Sequence, residues 1–297
     1  MNNLSITGKT QLLGVIGHPV EHSLSPVMHN AAMAALGLDY VYLPFPIKPE
    51  NLEVAMAGLA AINVVGFNVT IPHKQAIMPF LSEITPIAQA IGAVNTVSYQ
   101  HEQWVGTNTD IEGFIAPLQT TYRQDWNQKM AVILGNGGAA RAVVAGCQQL
   151  GVAQIHVVGR SWQKLQEFRN SWANLPEWEK LQINIWDDLG ELIPQANLLV
   201  NTTPVGMYPL MNESPVSMGD MQKLSPGAIA YDLIYIPHTS QFLQQAKKQG
   251  AIAINGLEML LQQGVAALKI WLQRETLPVD VMRQALRNHL KADCKAV

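Results

Sequence analysis

Cysteine is nearly absent: Cys147 and Cys294 are the only two in 297 residues. Two thiols cannot build a disulfide framework, which fits a reducing compartment, and the cytoplasm is the expected location. No run of about eighteen apolar residues occurs, so no membrane span is expected. The first roughly twenty residues lack a basic start followed by an apolar stretch, so no signal peptide is expected. Charge is also scarce, at 14% of residues, and a net charge of −3 leaves no basic footprint for nucleic acid. Tryptophan is plentiful, but Trp162, Trp172, Trp178 and Trp186 lie in a stretch without interleaved Lys/Arg clusters. Packing accounts for them better than base stacking. What remains is 48% hydrophobic, a globular profile long enough for two domains and a large core.

Strand-like and helix-like segments alternate. Residues 11–16, 40–45 and 64–69 read as strands, with helices over 26–36 and 51–61 between them. Residues 92–97 and 103–106 read as a short antiparallel pair, and a helix begins near residue 113. A second unit opens with an all-apolar strand at 130–134, a glycine turn and a helix at 139–150. Strands at 155–158, 197–200, 228–233 and 251–254 follow, with a helix at 240–250 before the last. Helices at 256–274 and 280–291 close the chain. The periodicity of residues 119–128 and 172–188 is mixed and assigns nothing. Repeated strand–helix units predict an α/β protein with mostly parallel sheets.

Chemistry-bearing residues gather at the strand ends, where open α/β sheets bind ligands. Phe67-Asn68-Val69-Thr70-Ile71-Pro72-His73-Lys74 is a strand-to-helix junction. Pro72 suits a first helical turn, and Thr70 can cap it. Lys74 offers a compact charge suited to proton transfer or to stabilising an alkoxide. Gly135-Asn136-Gly137-Gly138-Ala139 joins a strand to a helix, so backbone amides can meet a pyrophosphate at the helix N-terminus. The following strand ends in Gly159-Arg160-Ser161 without the carboxylate that would hold NAD ribose hydroxyls. A guanidinium and a hydroxyl suit a 2′-phosphate, so the expected cofactor is NADP. Asn201-Thr202-Thr203-Pro204-Val205-Gly206-Met207 forms another strand-end loop, expected beside the nicotinamide.

Thr107, Asn108 and Thr109 can hydrogen-bond Asp110 and keep it ionised, or the segment can be a turn capping the next helix. Ser23 and Ser25 can hold an anion such as a carboxylate, or Ser25 can cap a helix with Pro26 at its first position. His18, His22, His29 and His73 are not spaced as ligands on one helix face, so no metal site is expected.

Together these segments resemble the shikimate dehydrogenase family over nearly the whole chain. The pattern is met by His22-Ser23-x-Ser25-Pro26-x-x-His29-Asn30, Asn68-Val69-Thr70-x-Pro72-x-Lys74, Gly92-Ala93-x-Asn95-Thr96 and Gly106-x-Asn108-Thr109-Asp110. It continues through the glycine turn, Asn201-Thr202-Thr203-Pro204-x-Gly206-Met207, Asp232-x-x-Tyr235-x-Pro237-x-x-Thr239 and Gly256-x-x-Met259-Leu260-x-x-Gln263.

The resemblance implies reversible NADPH-dependent reduction of 3-dehydroshikimate to shikimate in aromatic biosynthesis, with small-molecule ligands and a monomer or homodimer. It implies Ser23 and Ser25 on the substrate carboxylate, and Thr70, Asn95, Asp110 and Gln263 on ring hydroxyls, with Tyr235 nearby. Lys74 and Asp110 form the implied catalytic pair. Gly135 to Ala139, Arg160, Ser161, Thr203, Gly256 and Met259 are implied cofactor residues. The implied architecture is a discontinuous substrate domain, 1–110 with 256–297, and a Rossmann NADP domain, 111–255. Gly159 departs from the family's common Asn. Two alternatives stand beside this reading: a quinate or dual-specificity dehydrogenase on the same scaffold, and a silent NADP-binding sensor. The second would keep the glycine turn and lose Lys74 and Asp110, and both are present.

Overall fold

The computed structural model describes residues 6–120, 122, 124–172 and 178–293. They divide into two units: residues up to Thr109 together with those from Leu260 onward, and Asp110–Met259. Cys294 lies outside the described residues.

The first unit runs β1 (Gln11–Gly17), α1 (Ser25–Leu36), β2 (Tyr40–Pro46), α2 (Leu52–Ala61), β3 (Val64–Val69), α3 (His73–Ala76), β4 (Glu83–Ile84), α4 (Pro86–Ile91), β5 (Thr96–Gln100) and β6 (Gln103–Thr107). Its strands form one sheet in the order β2-β1-β3-β5-β6-β4. β1 pairs in parallel with β2 and β3, whereas β5 runs antiparallel to both β3 and β6. The last five residues of β1 are all buried, as expected of a strand covered on both faces. The β5–β6 hairpin turns on His101 and Glu102, both at positive φ (50° and 62°), which matches the right-handed twist of its strands.

The second unit runs α5 (Asp110–Thr120), β7 (Met130–Leu134), α6 (Gly138–Gln149), β8 (Gln154–Gly159), α7 (Trp162–Asn170), β9 (Leu181–Ile185), α8 (Leu189–Leu192), β10 (Leu198–Asn201), α9 (Met218–Met221), β11 (Ile229–Asp232), α10 (Gln241–Lys248) and β12 (Ile252–Ile254). Its sheet order, β12-β11-β10-β7-β8-β9, is all parallel. This is the dinucleotide-binding order, with its switch point between β7 and β10.

Two helices close the chain, α11 (Leu257–Leu272) and α12 (Val279–Asp293). Within the first unit, α11 is seated on the sheet by Trp271. Its indole N–H donates to Val97 O at 2.9 Å, and a Cβ on Gly66 would collide with the ring. An aromatic side chain of this kind buries about 150–250 Å², or about 4–6 kcal/mol of transfer free energy. Gly66 is therefore a glycine for the space it leaves.

Several expectations change in detail. Residues 92–95 are not strand, because Gly92 ends α4 in the left-handed conformation and β5 starts only at Thr96. The hydroxyl of Thr70 does not cap α3; its carbonyl accepts from His73 N instead, and Pro72 precedes the helix. α1 begins at Ser25, with Leu24 as its cap residue and no side-chain cap, so Ser25 is not the N-cap. α4, α7, α8, α9, β4 and β9 are not among the elements expected from sequence; β4, α8 and α9 are very short, and β9 lies inside the stretch of mixed periodicity, 172–188.

Candidate active site

The sheet register of the first unit gathers its candidate residues along one edge. Ile16 pairs with Val69, Asn68 with Thr96, and Thr96 with Thr107. The carboxyl ends of β1, β3 and β6 and the amino end of β5 therefore lie together. Ser23 and Ser25 follow β1, Thr70 and Lys74 follow β3, Asn95 precedes β5, and the chain leaves β6 toward Asp110. Backbone bonds lock the edge: Thr70 N to Ile16 O at 2.9 Å, Val69 N to Asn95 O at 2.8 Å, and Val94 N to Lys74 O at 2.8 Å. The turn that carries Lys74 is thus pinned to the loop that carries Asn95. Lys74 itself is half-buried.

Beneath this edge lies a buried polar chain. Tyr42 Oη donates to Asn68 Oδ1 at 2.7 Å, and Asn68 Nδ2 donates to Thr96 Oγ1 at 3.1 Å and to Asn95 O at 3.2 Å. Asn95 Oδ1 accepts from Thr109 N at 2.7 Å and from Thr96 Oγ1 at 3.0 Å, while Asn95 Nδ2 donates to Thr109 Oγ1 at 3.1 Å. Ser25, 5% exposed, shares a hydrogen bond with the Tyr42 phenol. The hydroxyl of Thr109 is therefore committed to Asn95 and Thr96, not to a carboxylate as the sequence suggests. Its role is to anchor the residue immediately before Asp110.

The sequence reading assigns no role to strand-buried Asn68 and Tyr42. The one signal for them is a polar side chain within an otherwise apolar run. His29 stacks on Tyr42 at 4.3 Å, and burial pushes its imidazole down to about 3, so it is neutral. Gln263, 8% exposed on α11, donates Nε2 to Leu260 O at 2.7 Å.

In the second unit, Asp110 opens α5 and is 6% exposed. Gly135 follows β7 at φ +105°, a conformation that favours glycine. A Cβ there would meet Thr202 Oγ1 at 2.8 Å and Thr203 Cγ2 at 3.2 Å. The glycine turn and the Thr202–Thr203 loop thus abut at the topological switch point. Gly137 precedes α6, and no side chain caps that helix, so its first amides face outward for an anion. Asn136, Gly138 and Ala139 complete the turn. Arg160 is exposed at the end of β8, and Ser161 caps α7 by accepting from Lys164 N at 3.4 Å. The Ser161 O–H remains a donor. Lys164, missed by the sequence reading, is a second exposed cation in that first turn. Tyr235 is half-buried in the loop after β11; Gly256 and Met259 are buried where β12 gives way to α11. Among the described residues, no group of three or more His, Cys, Asp or Glu could hold a metal ion. No described helix is long and apolar enough to cross a membrane.

A family model described as the shikimate dehydrogenase substrate binding domain matches residues 15–97, and one described as the shikimate 5′-dehydrogenase C-terminal domain matches 256–287. The shikimate dehydrogenase (NADP(+)) of Trichormus variabilis is 75% identical over 285 residues, covering 96% of this chain and 99% of the relative. The chain belongs to the shikimate dehydrogenase family. A solved shikimate dehydrogenase in complex with NADP+ superposes with a TM-score of 0.84 at 39% identity, covering 96% of this chain and 98% of that one. The Thermus thermophilus enzyme in complex with NADP(H) and shikimate gives 0.82 at 32% identity, covering 94% and 99%.

Gly159, where the resemblance leads one to expect Asn, leaves little room for a side chain. A Cβ at 159 would meet Leu165 Cδ2 at 2.9 Å and Cγ at 3.1 Å. Leu165, fully buried on α7, fills the space a larger residue would need.

Proposed function

We infer that this chain catalyses the reversible NADPH-dependent reduction of 3-dehydroshikimate to shikimate, a step of aromatic amino acid biosynthesis. The observation that carries the reading is Lys74, a half-buried ammonium whose turn is pinned to the loop bearing Asn95. Ser23 and Ser25 hold the substrate carboxylate, and Thr70, Asn95 and Gln263 take ring hydroxyls. When bound, NADPH supplies the hydride. Negative charge then builds on the substrate oxygen, and Lys74 Nζ meets it by giving a proton. Asp110 accepts a hydrogen bond from a neighbouring substrate hydroxyl and orients the reacting groups; Thr109 fixes the backbone from which it projects.

The second unit binds the cofactor. Amides of Gly135 to Ala139 face the pyrophosphate, while Arg160 and Ser161 meet the 2′-phosphate. Thr203, Gly256 and Met259 line the nicotinamide end, with Tyr235 close to the substrate. The protein works in the cytoplasm as a monomer or homodimer.

Given 3-dehydroshikimate, the wild-type protein should oxidise NADPH much faster than NADH. A charge-assisted hydrogen bond contributes about 1.5–3 kcal/mol, so Arg160→Ala should lower kcat/KM for NADPH roughly 10–150-fold and leave NADH little changed. Equal losses with both cofactors would mean that Arg160 does not read the phosphate. Failure to turn over this substrate with either cofactor would remove the proposed activity.

A further inference from the structure

Asp232 has no part in the chemistry above, yet its carboxyl is fully buried at the end of β11. It binds donors from two strand-end loops. Asp232 Oδ1 accepts from Asn201 Nδ2 at 3.0 Å and from Ile234 N at 3.1 Å, and Oδ2 accepts a short hydrogen bond from Ser240 Oγ. Asn201, also fully buried, extends the grip into the loop after β10. Its Oδ1 accepts from Thr203 N at 3.0 Å and from Thr203 Oγ1 at 2.7 Å, and its Nδ2 donates to Val205 O at 3.1 Å. The loop after β11 is tied in turn to the residue before α11, where Gly256 N donates to Ile234 O at 3.0 Å.

We propose that Asp232 is a positioning residue for the cofactor: through Asn201 and Ser240 it holds the Thr203 loop and the 233–240 loop in the form that binds NADP. The proposal rests on the reading that the Thr203 loop meets the cofactor. Asn201, Ile234 and Ser240 all donate to the carboxyl, as a carboxylate requires. A buried network of this type is sensitive to the loss of any member, because a group left without its partner has no water to turn to. Burial raises this carboxyl to about 6, against the lowering effect of Ser240, Ile234 and Asn201. Those three facing groups are uncharged, and the neighbouring Tyr231 phenol is pushed well up by burial, so it stays neutral.

The test is NADP+ affinity by titration in wild type, Asp232→Asn and Thr203→Val, alongside shikimate KM and kcat. Asp232→Asn keeps the shape but replaces one of the two acceptor oxygens by a donor. It should weaken NADP+ binding about tenfold or more at pH 7.5, with shikimate KM little changed. A mutant Kd for NADP+ within about twofold of wild type, or a shikimate KM that rises as much as that Kd, would overturn the proposal. If Thr203→Val binds NADP+ normally while Asp232→Asn does not, the placement of the Thr203 loop at the cofactor is what fails. Should Asp232→Asn not fold, Ser240→Ala removes one donor from the carboxylate. It should weaken NADP+ binding with shikimate KM little changed, and unchanged NADP+ affinity would equally overturn the proposal.

Discussion

Replacing Lys74 by Ala should lower kcat by roughly 10²–10⁴-fold, the usual worth of a positioned proton donor. Shikimate affinity should change far less. The expectation follows from how the residue is held. Lys74 sits on a single turn, α3, too short to be stable alone. The turn persists because His73 is buried with its ring Nε2 2.6 Å from Ile47 O, and because Val94 N donates to Lys74 O. These contacts belong to the backbone and to His73, so removing the ammonium leaves the turn in place. The loss should then appear in turnover, not in folding. Steady-state kinetics with shikimate and NADP+, together with a melting curve, checks this; a variant with near-native kcat removes Lys74 from the mechanism.

The second large effect is expected from Ser23→Ala with Ser25→Ala. Two hydrogen bonds to an ionised carboxylate contribute about 1.5–3 kcal/mol each, so kcat/KM for shikimate should fall by more than about a hundredfold. NADP+ affinity should stay within about twofold, because both serines belong to the first unit and the cofactor residues to the second. A purely structural role makes a different prediction: a lower melting temperature with normal kinetics. The geometry gives Ser25 a buried partner in the Tyr42 phenol, whereas Ser23 Oγ accepts only a long 3.3 Å bond from Ser25 N and α1 has no side-chain cap. Unchanged shikimate kinetics in the folded double variant would sink the carboxylate assignment.

The parts of the molecule readable from sequence are those with a local cause. β1, β3 and β7 are short, apolar and bounded by polar or glycine residues, and each appears within a residue or so of its expected place. The switch point between β7 and β10 follows from strand order, which no local pattern encodes, yet the family resemblance implied it. What escaped notice has a non-local cause. β4 has only two residues and exists because β6 offers it a parallel edge at Val105 and Gly106. α7 reads as polar, with only Leu165 and Phe168 buried.

At the candidate site, cationic residues such as Lys74 and Arg160 advertise their chemistry, whereas the side chains that hold loops in place do not. Asp232 and Asn201 stand in a recognised motif that by itself assigns them no task. Their task is visible only when β10 and β11 are side by side, with Asn201 paired to Asp232. Gly159 is the converse case: a departure from the expected pattern, packed against Leu165 of the next helix.

The most direct measurement is the initial rate of NADP+ reduction by the purified protein with shikimate and, separately, with quinate, repeated with NAD+. The account predicts rapid reduction with shikimate and NADP+, and much slower reduction when either the substrate or the cofactor is exchanged. Comparable rates with quinate, a preference for NAD+, or tight NADP+ binding without turnover of either substrate would contradict it.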